Sequence, residues 1–285
     1  MSIVRAAALQ LKVSPEKSEN LDRLQQHLDS LAKENVDLVI LPEMFNCPYQ
    51  TSLFPDYAEE EGGAFWQKLS SLAVQYKIYL VAGSMPEKDQ ENKIYNTSYV
   101  FDRQGRQIGK HRKVHLFDID IEGGQQFRES DTLSPGNKAT VFDTEFGTMG
   151  ICICYDLRFP ELARLMVDQG AKMIIVPGAF NMTTGPAHWE ILFRTRAVDN
   201  QVFTVGAAPA RDQEAGYTSW GHTMMVGPWG NVLQQMDERE GCIIQDLDLA
   251  EVAKVRRELP LLAQRRSDLY QLTSSDDHVT PRLCQ

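Results

Sequence analysis

Apolar positions along the chain alternate between two periods. Ile3 to Leu11 reads as a strand, and Leu21, Leu24, Leu28 and Leu31 then recur at helical spacing behind a helix start at Ser14-Pro15-Glu16. Val36 to Leu41 is nearly all apolar, which predicts a short strand buried on both faces. A second unit repeats the first, with Phe65, Leu69, Leu72 and Tyr76 on one helix face and a strand from Ile78 to Gly83. Asn96 to Phe101, followed by the turn Arg103-Gln104-Gly105-Arg106, predicts an antiparallel extension.

The second half keeps the rhythm. Strands are predicted over Thr148 to Cys154, Met173 to Val176 and Gln201 to Ala207, with helices over Pro160 to Gln169 and Pro186 to Asn200. Further strands lie near Thr223 to Gly227, Val232 to Met236 and Cys242 to Asp246, and a helix from Leu249 to Leu259 stops at Pro260. Two β-rich halves with helices between strands imply an α/β fold of two mixed sheets with helical layers outside. No low-complexity linker separates the halves, so residues 1–272 are expected to form one domain. The polar stretch 273–285, with Pro281, reads as a loosely ordered tail.

The 285 residues are 42% hydrophobic and 24% charged, ordinary for a globular chain. A net charge of -10 argues against nucleic-acid or anionic-membrane partners, which require a basic face. The basic cluster Lys110-His111-Arg112-Lys113 is short and reads as a loop carrying one functional cation. No apolar run reaches the roughly 18 residues of a membrane span, and the apolar start before Gln10 is too short for a signal peptide. Five cysteines without a disulfide-framework spacing point to a reduced, cytoplasmic protein.

Three residues near strand ends carry the candidate chemistry. Gly150-Ile151-Cys152-Ile153-Cys154 runs straight into Tyr155-Asp156-Leu157-Arg158-Phe159-Pro160, and a strand turning sharply into a helix exposes the residue at its bend. Backbone N–H groups and the helix's positive end then point at that side chain. Cys154 occupies the bend, whereas Cys152 sits inside the strand, where core packing is expected. The alternative for Cys154 is a structural thiol. A thiol needs a base, and none of the six histidines suggests itself; His111 and His115 lack the glutamate and the helix of a zinc motif. Glu43, after the apolar strand and Pro42, can serve if burial raises its pKa; a solvated loop carboxylate is the alternative. A buried Lys113 would offset the negative charge and donate to an oxyanion, the alternative being a surface lysine.

Together these segments resemble the nitrilase superfamily of carbon–nitrogen hydrolases. Leu41-Pro42-Glu43, Arg112-Lys113-Val114-His115-Leu116 and Cys154 through Leu162 are similar to its three signature regions, and the likeness runs from Val4 to about Tyr270. The resemblance implies a four-layer αββα sandwich that pairs as a homodimer into αββααββα. It implies a catalytic triad of Glu43, Lys113 and Cys154, with Glu129 as a second glutamate that orients the lysine and substrate. The stretches 42–49, 115–120 and 178–189 look closest to the omega-amidase branch, while Gly123-Gly124-Gln125-Gln126 departs from the family's usual loop.

The expected reaction is hydrolysis of a small-molecule carboxamide through a thioester, with no metal or organic cofactor. Lys113 and the backbone N–H of Tyr155 would hold the oxyanion. For a dicarboxylic monoamide such as α-ketoglutaramate, Arg158 would hold the distal carboxylate, and Tyr49, Thr184 and Phe180 would line the pocket. A salt bridge from Arg158 to Glu161 or Asp156 is the competing reading. Other members of the scaffold, including deaminated-glutathione amidases, carbamoylases and nitrilases, are the nearest functional rivals, and a non-catalytic interaction protein is a rival of a different class.

Overall fold

The computed structural model describes residues 2–122 and 126–274. The first half runs β1 (Ile3–Gln10), α1 (Lys17–Leu31), β2 (Leu38–Ile40), α2 (Phe54–Tyr57), α3 (Ala64–Tyr76), β3 (Tyr79–Val81), β4 (Met85–Lys88), β5 (Ile94–Phe101) and β6 (Gln107–Arg112). A small ribbon of β7 (Asp118–Asp120) and β8 (Gln126–Arg128) follows. The second half is β9 (Thr140–Thr144), β10 (Gly147–Ile151), α4 (Pro160–Asp168), β11 (Met173–Pro177), α5 (Gly185–Asn200), β12 (Phe203–Ala207), β13 (Met224–Val226), β14 (Val232–Gln235), β15 (Gly241–Asp248) and α6 (Ala250–Glu258).

Among the described residues, one sheet has the order β15-β1-β2-β3-β5-β4, with β6 also on β5, and the other has the order β14-β13-β12-β11-β10-β9. In each, the central strands are parallel: β1, β2 and β3 in the first, β10, β11 and β12 in the second. The final strand, β15, returns antiparallel to β1 and ties the end of the fold to its beginning.

Alternation along the strands sets the layers. Ala6, Ala8, Leu38, Ile40 and Val81 meet Ile151, Met173, Ile175, Val205 and Met225 in one core between the sheets. The opposite faces of the first sheet pack Ala7, Leu9, Val39 and Leu80 against Leu24, Leu28, Leu69 and Leu72 of α1 and α3. On the second sheet, Ile174 and Val176 meet Met166 of α4 and Trp189 and Phe193 of α5. The result is the expected αββα sandwich, and β2 is apolar throughout because it is covered on both sides.

The sequence pattern missed the short helix α2 and the strands β4, β6, β7, β8 and β9. The Lys110–Arg112 segment, expected as a loop, is the end of β6, with Ser98 opposite His111 and Thr97 opposite Arg112. Its polarity hid the strand. The cations are answered by Glu87 of β4, only 2% exposed, which accepts from Arg112 Nη2 and Lys110 Nζ at 2.6 Å each. Burial opposes the charge on Glu87, but these donors and Thr97 outweigh it and hold its pKa below the usual value. The residues 123–125 and the tail beyond 274 lie outside the described residues.

Candidate active site

Four short segments at strand ends build the site. Cys154 follows β10 by three residues and opens a 3-10 turn, Cys154–Arg158, with a left-handed φ of 48°. A non-glycine residue held there costs about 1–3 kcal/mol, a strain that recurs at functional sites. Asp156 N–H is spent on the Ile153 carbonyl, whereas the Cys154 and Tyr155 amides occupy the first turn, where N–H groups lack intrahelical partners. Cys152 continues the line of the strand, its N–H donating to the Ile175 carbonyl at 3.1 Å.

Glu43 stands at a second tight bend. It follows β2 through Leu41 and Pro42, and the next residue, Met44, has φ 51° and donates its N–H to Ser84 Oγ at 3.0 Å. Lys113 follows β6 directly, pinned by its own N–H to the Asn96 carbonyl and by its carbonyl to Gly136 N–H, both 2.8 Å. Glu129 opens the 3-10 turn after β8 and accepts Phe117 N–H on Oε2 at 2.7 Å.

The side chains converge. Lys113 Nζ donates to Glu43 Oε1 at 3.0 Å and lies 2.9 Å from Glu129. Glu43 Oε1 also accepts Asn96 Nδ2 at 2.8 Å, and Oε2 accepts Ala179 N–H at 2.8 Å. Glu43, Lys113 and Glu129 are 0% exposed and Cys154 4%, so neither carboxylate nor ammonium is a solvated surface group. Cys154 lies close enough to Glu43 for each to shift the other's titration. Tyr49 has one hydroxyl proton; it donates to Glu129 Oε1 at 2.6 Å, with Glu43 Oε1 next at 3.2 Å.

The carbon-nitrogen hydrolase pattern matches residues 5–257. The chain belongs to that family. It is 50% identical over 274 residues to the mouse omega-amidase NIT2, covering 96% of this chain and 99% of that one. Nit3 of Saccharomyces cerevisiae, a member of branch 10 of the nitrilase superfamily, superposes with a TM-score of 0.86 at 44% identity, over 93% of this chain and 97% of that one. A glutamate-to-glutamine mutant of the amidase from Nesterenkonia sp. AN1, carrying the acetamide moiety of fluoroacetamide on its active-site cysteine, superposes with a TM-score of 0.78 at 26% identity, covering 93% and 95%.

The electrostatics of this family member follow from burial. Desolvation raises the Glu43 pKa, Lys113 opposes that, and Glu129 adds to it. Burial alone would lower Lys113, yet Glu129 and Glu43 outweigh it and keep the ammonium firmly charged. The Cys154 thiol is pushed well up, by burial first and then by Glu43. Cys154 therefore rests as the thiol and needs a base to ionise it.

Asp156 couples two of the segments. Fully buried, it accepts His111 Nε2 at 3.0 Å, His115 Nδ1 and His115 N–H at 2.8 Å each, Val114 N–H at 3.2 Å and Ile153 N–H at 3.0 Å. Burial opposes its ionisation, but the His111 and His115 donors prevail and hold its pKa far below the usual range. The two histidines singled out by their spacing thus tie the Lys113 segment to the cysteine bend.

Arg158 makes no ion pair with Glu161 or Asp156. Its Nη1 meets His188 Nδ1 at 3.1 Å, and its guanidinium lies 4.8 Å from the Phe180 ring centroid and 5.5 Å from that of Tyr155. Thr184 Oγ1 donates to Asn181 Oδ1 at 2.8 Å. Sequence reasoning missed Asn96, Asp156 as a hub, and Tyr217, whose ring lies 4.6 Å from that of Tyr49. Tyr217 sits in a polar loop and carries no periodic signal; the Tyr155-Asp156 pair beside the bend was the available clue to Asp156.

Proposed function

We propose that this hydrolase is an omega-amidase, converting the terminal amide of a small dicarboxylic acid monoamide, such as α-ketoglutaramate, to carboxylate and ammonia. The observation that carries the reaction is the sealed Glu43–Lys113–Glu129 cluster against a thiol at a strained bend. Glu43 takes the thiol proton as sulfur attacks the amide carbon. Lys113 and Tyr155 N–H hold the oxyanion, the charge that develops only in the transition state. Protonated Glu43 passes its proton to the nitrogen, the C–N bond breaks, and ammonia leaves a thioester. Glu43 then deprotonates water, which attacks the thioester and returns acid and thiol. Glu129 and Tyr49 hold Lys113 and Glu43 in register. The cysteine adduct in the Nesterenkonia amidase supports a thiol nucleophile, and the identity to the mouse omega-amidase supports the substrate class.

Arg158 supports the distal carboxylate, because its guanidinium is partly buried near the thiol and has no carboxylate partner among the described residues. Phe180 forms the wall beneath it, and Thr184 shapes the loop that follows. The test is ammonia release across dicarboxylic monoamides, deaminated glutathione, carbamoyl compounds, nitriles and uncharged amides. Arg158→Met should lower kcat/KM for the dicarboxylic amide by about 2–4 kcal/mol and barely alter an uncharged amide of similar length. Equal loss on both, or faster turnover of another substrate class, overturns the assignment.

The same reading includes one domain over residues 1–272, homodimerisation, and a cytoplasmic setting. The family match over residues 5–257 supports the first, and exposed Ile191, Val198 and Trp229 support the second. Unpaired Cys47, Cys152, Cys154 and Cys242 fit the third. No helix among the described residues is long and apolar enough to cross a membrane.

A further inference from the structure

The loop between β12 and β13 carries a tyrosine that the reaction scheme leaves unused. Tyr217 donates its hydroxyl to the Ala179 carbonyl. Ala179 in turn donates its own N–H to Glu43 Oε2 at 2.8 Å. The neighbouring residues reinforce the contact: Ser219 bridges Asn181, and Trp220 N–H donates to the Phe180 carbonyl at 2.7 Å. The segment 217–220 is thus laid along 179–181 and clamps Ala179 in place.

The two oxygens of Glu43 are not equivalent. Oε1 has Asn96 Nδ2 at 2.8 Å, Lys113 Nζ at 3.0 Å and the Tyr49 hydroxyl at 3.2 Å around it. Oε2 has Ala179 N–H as its partner. A carboxylate oxygen accepts through two lone pairs, so spare capacity for the thiol proton lies on Oε2. We infer that Oε2 is the proton-carrying oxygen of Glu43 and that Tyr217 is a positioning residue, holding Ala179 N–H on Oε2 so that the carboxylate stays aimed at Cys154. Placement agrees: the Tyr217 ring packs on Tyr49 at 4.6 Å and on Phe127 at 5.7 Å, and its hydroxyl, raised by burial first, is raised further by Cys154, Glu43 and Glu129.

The inference rests on Glu43 being the base. Tyr217→Phe removes one oxygen and keeps the ring. It should lower kcat by about 10- to 100-fold, the scale of a small misplacement of a reacting group, while KM changes less than about twofold. The acidic limb of kcat/KM should move to higher pH, because a loosened N–H bond no longer favours the charged carboxylate. Tyr217→Met, which also removes the ring contact with Tyr49, should lose at least as much and serves as the probe should the phenylalanine variant misfold. An unmoved limb with kcat within twofold of wild type overturns the role, as does a lowered Tm with the limb in place. Glu43→Gln is measured alongside: if it turns over, the base assignment fails and the inference with it. If it is inactive while Tyr217→Phe behaves as wild type, the positioning role alone fails.

Discussion

Cys152 and Cys154 are one intervening residue apart, both buried, and differ in backbone. Cys152 lies in an extended line bonded to Ile175, whereas Cys154 has φ 48° and sits within electrostatic reach of Glu43. Cys154→Ala should therefore abolish ammonia release, while Cys152→Ala should keep most of it in a protein with unchanged circular dichroism. Comparable losses in two folded variants would refute the assignment. The pH dependence follows from Glu43. Its pKa is raised, chiefly by burial, and a base works only when ionised. Activity should fall as pH drops through a value above the ordinary glutamate pKa of about 4.3. An acidic limb of kcat/KM at or below that value would detach the limb from Glu43.

Strand ends decide the site at the scale of elements. β2, β6 and β10 each deliver one side chain within three residues of their last paired residue, and β8 delivers Glu129 directly. The strands β2, β11 and β12 were legible in the sequence because each is buried on both faces, and β1 and β10 because most of their length is. So was the bend at Cys154, where strand residues run directly into a proline-led helix. β4 and β6 were not legible, because Glu87, Lys110 and Arg112 satisfy one another across the strands and leave a polar pattern like that of a loop. Asp156 was hinted at only by its place beside the bend, because all its partners but Ile153, namely His111, Val114 and His115, are more than forty residues away. Asp156→Asn should cost about 3 kcal/mol by removing an ionised acceptor from a buried cluster. Depressed as its pKa is, this contribution stands at neutral pH and is lost only in acid. Urea denaturation at pH 7 measures it, and a loss below about 1 kcal/mol would show that the hub does not hold the two segments together.

At the scale of the whole molecule, α5 presents two contrasting faces. Trp189, Phe193 and Ala197 are at most 1% exposed and pack on the second sheet, so this face belongs to the core. The far face carries Ile191 at 60% exposure and Val198 at 43%, seven residues apart and so on one side of the helix. Trp229, 58% exposed, stands beside them on the β13–β14 turn, and Arg194 Nε holds that turn by the Gly230 carbonyl at 2.9 Å. The groove they line has a volume of about 560 Å³. A two-fold interface uses the same patch on both subunits, and we propose this apolar helix face with its tryptophan as that patch. Trp229 is the anchor expected to dominate such a contact. The protein should therefore scatter light as a dimer of the 32.3 kDa chain at micromolar concentration. Ile191→Glu with Trp229→Glu should shift it to monomer, because carboxylates introduced into an apolar contact must be desolvated without partners. A monomeric wild-type protein, or a dimer indifferent to both substitutions, would place the interface elsewhere or remove it.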